Sequence, residues 1–159
     1  MKKIKEPFIM MLIGPTLSGK STYIRNNYPS TEVISRDEIV MEVFGSRDYN
    51  SAFKEVDQKE VDRVLAKRLK EANDLKKSVI IDMTNMTVKR RMATLRNFGK
   101  DFARVAVVFP ILSDEEYEKR NIDRNAKENK WIPPFVIKSM IDSYQEPSPA
   151  EGYDKITIL

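Results

Sequence analysis

The stretch 14-GPTLSGKST-22, set directly behind the apolar run 8-FIMMLI-13, decides how the rest of the chain is read. Residues 14–21 fit G-x-x-x-x-G-K-[ST], the pattern of a loop that cradles phosphate between a strand and a helix. Two of the chain's five glycines stand in it. Gly14 and Gly19 let backbone N–H groups turn toward phosphate oxygens, and a helix starting near Gly19 adds its positive end. Lys20 is placed to neutralise β- and γ-phosphates, and the Ser21 hydroxyl to ligate Mg²⁺. Gly14, Pro15, Thr16, Leu17, Ser18, Gly19, Lys20, Ser21 and Thr22 are therefore the expected contact set for ATP. A glycine turn before an amphipathic helix would use the same letters, but a strand precedes this loop and a helix follows it. Leu17 stands where related loops often have glycine, which stiffens the loop without removing a donor.

Outward from that loop, the 159 residues are enough for a sizeable core and are read as a single domain over 1–159. Hydrophobic content of 41% beside charged content of 33% fits a soluble globular chain. No apolar run approaches the ~20 residues of a membrane span, so no membrane association is expected. The start MKKIKEPFIMMLIG is basic and then apolar, but it lacks a small-residue cleavage site and runs into the glycine loop. It reads as a first strand rather than a signal peptide.

Cysteine and histidine are both absent, which excludes disulfides, thiol nucleophiles, zinc sites and a histidine base. Chemistry is left to Asp, Glu, Lys, Arg, Ser and Thr. The lack of cysteine is compatible with the cytoplasm, the expected location (a host's cytoplasm if the chain is phage-encoded). A net charge of +4 and a pI near 9.2 favour anionic partners, and ATP and nucleic acid both qualify.

Short apolar runs recur at 8-FIMMLI-13, 32-EVIS-35, 79-VIID-82, 104-RVAVVF-109 and 155-KITIL-159, and the central ones read as strands buried on both faces. Helical patterns lie between them. Residues 53–76 place Val61, Val64, Leu65, Leu69, Ala72 and Leu75 at helix spacing. Thr87–Phe98, Asp114–Lys127 with Ser113 as N-cap, and Pro134–Tyr144 with proline in its first turn are further helices. Strand and helix alternation predicts an α/β fold with a mostly parallel sheet, whose ligands bind beyond the carboxyl ends of the strands.

Three further segments follow such ends. In 33-VISRDEI-39 an acid could simply cap the next helix or favour its dipole. Behind a nucleotide loop, Asp37 suits a second task, accepting a proton from an acceptor hydroxyl, with Arg36 available for an acceptor phosphate. In 79-VIIDMTN-85, Asp82 fits a carboxylate that holds Mg²⁺ through water. Thr84 and Asn85 either contact the acceptor or cap the following helix. The cluster 88-VKRRMATLR-96 reads as a solvated helix face that could equally steer an anion. In 117-YEKRNIDRNAKENKWIPPF-135, Arg120 and Arg124 share a helix face, either salt-bridged to Glu116, Asp123 or Glu128 or closing as a lid over ATP. The lid is expected at about 114–133.

In this order, GPTLSGKST, SRDE, DMTN, KRNIDRN and a proline-led helix resemble the 5′-kinase domain of polynucleotide kinases, within the P-loop kinase superfamily. The tail 143-SYQEPSPAEGYDKI-156 is similar to the end of the animal enzyme's kinase domain, so the likeness spans nearly the whole chain. The phosphate loop is specific for a nucleotide and not for an acceptor; its combination with the other motifs is more specific. The resemblance implies a five-stranded parallel sheet, Lys20 and Ser21 on ATP·Mg²⁺, Asp37 as general base, and Arg124 with Arg120 as the phosphate-clamping lid. Val40 departs from it, standing where the phage enzyme has an arginine that grips the acceptor's phosphate. No Asp-x-Asp phosphatase motif or ligase lysine motif follows, so 3′-phosphatase activity is not expected. The resulting expectation is an ATP-dependent kinase of a 5′-hydroxyl of DNA or RNA, with ATP and Mg²⁺ as its cofactors and no other metal. The alternatives are a kinase of a small metabolite, nucleoside or hydroxylated nucleic-acid base, and a non-catalytic nucleotide-binding module.

Overall fold

Five strands pair only in parallel in the computed structural model, which describes residues 3–159. They are β1 (Phe8–Ile13), β2 (Glu32–Ser35), β3 (Val79–Asp82), β4 (Ala103–Val108) and β5 (Lys155–Ile158), in the sheet order β2-β3-β1-β4-β5. β1 lies at the centre because it is apolar at every position, as a strand covered on both faces must be. Its odd residues Ile9, Met11 and Ile13 enter the larger core. Its even partners Phe8, Met10 and Leu12 enter a smaller one, roofed by Tyr23, Ile24 and Tyr28. Each such side chain contributes ~1.5–3 kcal/mol by leaving water.

Seven α-helices join the strands: α1 (Lys20–Asn27), α2 (Arg36–Phe44), α3 (Tyr49–Glu55), α4 (Gln58–Asp74), α5 (Val88–Leu95), α6 (Asp114–Glu128) and α7 (Pro134–Ser143). The expected helix over 53–76 is two. Val56 turns extended at ψ 146°, and the Asp57 carboxylate accepts from Lys59 N–H and Glu60 N–H to start α4. The apolar positions at helix spacing, Val61 to Leu75, all lie beyond this break, and buried Val56 stands just before it. Leu75 lies past the end of α4 and is exposed. α5 is shorter than 87–98, with Thr87 rather than Thr84 or Asn85 as its N-cap, accepting from Arg90 N–H. Ser113 caps α6 as expected, and α7 opens on Pro134. No helix of the described residues is long and apolar enough to cross a membrane.

Arg91, read as part of a solvated or anion-steering face, is instead 0% exposed and ion-paired to buried Glu151 at 2.7 Å. Its other donors reach Asn85 O and Gln145 O, each at 2.8 Å. The guanidinium thus joins α5, the loop after β3 and the C-terminal segment. A planar fork of five donors suits three converging acceptors.

Candidate active site

The carboxyl ends of β1, β2 and β3 bring together the phosphate loop, Asp37 and Asp82. Gly14 N–H donates to Thr84 O at 3.0 Å, tying the loop to the chain after β3. A Cβ on Gly14 would stand 2.9 Å from Phe109 Cβ and 2.8 Å from Ser18 Oγ, so only glycine fits there. Gly19, the N-cap of α1, takes φ 97°, a region that favours a residue without Cβ. Leu17 also has positive φ, at 68°, which accounts for glycine at this place in related loops.

The Lys20 ammonium lies folded into the loop, donating to Gly14 O and Pro15 O at 2.7 Å each. The residue is only 9% exposed. Burial pushes its pKa down to about 8, against the pull of Asp82 and Asp37. Arg124 and Lys130 push the same way as burial. Asp82 is moved up, chiefly by desolvation, with Lys20 opposing and Asp37 adding to the rise. In both groups burial disfavours the charged form and outweighs the nearby opposite charge. Ser21 and Asp82 both open on one cleft of about 320 Å³, which Arg25, Tyr28 and Thr31 also line. A second shallow hollow, lined by Glu6, Glu32 and Ser78 at the amino ends of the strands, adjoins this cleft at Thr31.

Asp37 sits in the first turn of α2, but Ser35 caps that helix, accepting from Glu38 N–H. Capping therefore does not occupy Asp37. The pairing of Ser35 with Asp82 across β2 and β3 sets the two acids at neighbouring strand ends. The Asp37 carboxylate is 47% exposed and binds Lys130 Nζ through Oδ2 at 3.2 Å.

The α6 arginines lie over the loop. Arg120 Nη1 donates to Leu17 O at 2.9 Å while its Nε holds Glu116. Arg124 Nη2 donates to Thr16 Oγ1 at 3.2 Å, and its buried Nε has no hydrogen-bond partner. Burial lowers the Arg124 pKa, against Tyr49, Glu128 and Asp37. A desolvated guanidinium with an unused donor is suited to a phosphate oxygen.

The structure does not bring every expected residue to this surface. Asn85 is 2% exposed and at φ 51°, and its amide donates to Leu12 O and Met83 O, so it braces the loop from beneath instead of reaching an acceptor. Arg36 turns toward α4, bonding Gln58 and Asp62. Thr84 meets the phosphate loop through its backbone carbonyl. Val40 is wholly buried. Thr22 is exposed on α1, where Arg25 donates to its hydroxyl.

Lys130, Tyr49, Asn50 and Asn121 were not singled out by sequence. Buried Asn121 exchanges bonds with Ile132, its Nδ2 donating to Ile132 O at 2.6 Å and its Oδ1 accepting from Ile132 N–H. This folds the chain after α6 back toward Asp37. The Pro133-Pro134 turn announced a change of direction; nothing local announced its aim.

A family model described as an AAA domain matches residues 9–147. Among solved structures, a chain of the Pnkp1/Rnl/Hen1 RNA repair complex is similar at 22% identity and TM-score 0.69, over 89% of this chain and 45% of that one. The chain thus spans less than half of that protein's length. A putative kinase from Chloroflexus aurantiacus is similar at 13% identity and TM-score 0.69, over 98% of this chain and 88% of that one. Kti12 from Chaetomium thermophilum, in complex with ADP-AlF3, is similar at 17% identity and TM-score 0.67, over 95% and 88%. The shared architecture is the P-loop kinase-like α/β fold. The chain belongs to the AAA domain family.

Proposed function

We propose that this member of the AAA domain family is an ATP-dependent kinase whose acceptor is a 5′-hydroxyl of DNA or RNA, acting as one domain with residues 114–133 as its lid. The observation that carries the reading is the meeting of two lid arginines with the phosphate loop beside Asp37. A protein that only held a nucleotide would need the loop, and neither the arginines nor the acid.

In the proposed reaction the acceptor oxygen forms a bond to the γ-phosphorus and the bond from the γ-phosphorus to the β–γ bridging oxygen breaks. The acceptor's proton passes to Asp37, and ADP leaves with the electron pair of the broken bond on its former bridging oxygen. Lys20 would turn from its carbonyl partners to the β- and γ-phosphates. Arg124 and Arg120 would balance charge on the transferring group. Ser21 and Asp82, which share a cleft, are the side chains that would hold Mg²⁺. The bound ion would neutralise phosphate charge.

The nucleic-acid acceptor is supported by the resemblance of the motif series and by the positive net charge. One observation favours a second reading: buried Val40 offers no charge to an acceptor's phosphate, as suits a small neutral alcohol. γ-Labelled ATP offered with oligonucleotides, nucleosides and small alcohols tests both. Label on the 5′ ends of oligonucleotides is expected. Label on a metabolite alone would select the second reading, and ATP binding without any transfer would leave a non-catalytic nucleotide-binding module.

A further inference from the structure

Around the Asp37 carboxylate the cations have distinct commitments. Arg120 and Arg124 bond the phosphate loop, Lys20 lies inside it, and Arg36 is held by Asp62 and Gln58. Lys130 alone among these reaches the carboxylate within ion-pair distance. Its side chain is 16% exposed, and the ammonium stands 3.9 Å from the centre of the Tyr49 ring.

The backbone on either side of Lys130 is pinned. Asn50 Nδ2 donates to Asn129 O at 3.0 Å, and Asn50 Oδ1 accepts from Trp131 N–H at 3.2 Å. One side chain of α3 thereby fixes both neighbours of the lysine. An incidental surface lysine needs neither a two-sided backbone clamp nor an aromatic floor. Trp131, next in the chain, and Phe53, stacked on Tyr49, both expose aromatic surface. The ring under the ammonium is itself buried, but partly exposed aromatic residues lie one ring and one residue away, a composition suited to a nucleoside carrying a phosphate.

We infer that Lys130 is an acceptor-binding residue that takes a phosphate carried by the acceptor near its reacting hydroxyl, such as the 3′-phosphate of a terminal nucleoside. The inference rests on the proposed kinase reading. A hydroxyl held by Asp37 puts the rest of the acceptor beside the group now bonded to that carboxylate. Lys130 then passes from the Asp37 oxygen to the acceptor's phosphate, which frees the carboxylate to receive the proton. Charge for the acceptor thus comes from the lid, while position 40 on α2 supplies none.

The test compares two pairs of acceptors, each differing by one phosphate: adenosine with adenosine 3′-monophosphate, and glycerol with glycerol 3-phosphate. Wild type, Lys130→Met, Lys130→Gln and Lys130→Arg are assayed at saturating ATP, and the kcat/KM ratio within each pair is read. A charged hydrogen bond to phosphate predicts a preference of about tenfold or more for the phosphate-bearing member in wild type, mainly in KM. The ratio should fall toward one in Lys130→Met and Lys130→Gln and return in Lys130→Arg. Lys130→Gln covers the case in which the methionine variant does not fold. A ratio that persists in the folded neutral variants overturns the inference, even where oligonucleotides are phosphorylated. A lysine-dependent preference confined to the glycerol pair supports the inference and overturns the nucleic-acid reading. Absence of transfer by wild type to every acceptor overturns both.

Discussion

Replacing Arg91 by methionine removes a guanidinium that is 0% exposed and leaves the Glu151 carboxylate in the core with the Ser148 N–H as its remaining hydrogen-bond donor. Asn85 O and Gln145 O lose their 2.8 Å partners in the same step. Breaking a buried pair from one side costs about 3–5 kcal/mol, because a charge is stranded without its partner. Against a total stability of about 5–15 kcal/mol, this is a large fraction. With a slope near 2 kcal/mol per M, the urea midpoint of Arg91→Met should fall by about 2 M. The double variant Arg91→Met/Glu151→Leu carries no stranded charge, so it should be more stable than the single arginine variant. The assay is equilibrium urea unfolding of wild type, both singles and the double, followed by circular dichroism. A loss below about 1 kcal/mol in Arg91→Met, or a double variant no better than that single, would refute the desolvated pair.

Lys20→Met should abolish phosphoryl transfer in a folded protein, and near-normal turnover at saturating ATP would overthrow the kinase reading. The same variant reports the lysine's titration. The folded state releases the Lys20 proton near pH 8 while the unfolded chain keeps it to 10.5, so the unfolded state binds more protons between them. Ligand-free wild type should therefore gain about 3 kcal/mol relative to Lys20→Met as pH rises through that window, read as paired urea midpoints. Asp37→Asn should lower kcat by ~10²–10⁴-fold with ATP affinity nearly unchanged, since Asn keeps the shape and cannot take a proton. Its melting temperature should move little, because Ser35 already caps α2; lost stability with intact kcat would turn attention to Glu38 or Asp82. Arg124→Ala should cost about 10³-fold or more in kcat, and Arg124→Lys should not restore it, since a point charge does not reproduce the guanidinium fork. Single-turnover kinetics would expose the contrary result, a defect confined to ATP binding.

The elements read best from sequence are those whose causes are local. An apolar run that alternates with turns makes β1 a central strand, Gly19 meets a backbone demand within its own loop, and Ser113 caps the helix it directly precedes, whereas Gly14 is also required by distant Phe109. Asp57 was also local, yet the range 53–76 ran over it, because the helix-spaced positions Val61 to Leu75 mark a buried face and not where the backbone starts a new helix. The arginines at 120 and 124 could be placed on one face from their spacing, though spacing did not say that this face meets Thr16 and Leu17.

The sequence by itself determined an α/β chain with a phosphate loop, an acid at or just past the end of each of two strands and a two-arginine helix, since these depend on contacts a few residues apart. Tertiary structure alone decided that Arg91 is core, that Asn85 braces the loop from beneath, and that Lys130 reaches Asp37. Whether a polar or charged group is buried or exposed depends on its partner, and these partners lie far along the chain: Glu151 is 60 positions from Arg91, Leu12 is 73 from Asn85, and Asp37 is 93 from Lys130. A lysine or arginine has the same letter on a solvated helix and in a core. Only the folded chain brings up the carboxylate or carbonyl whose hydrogen bonds offset the cost of removing it from water.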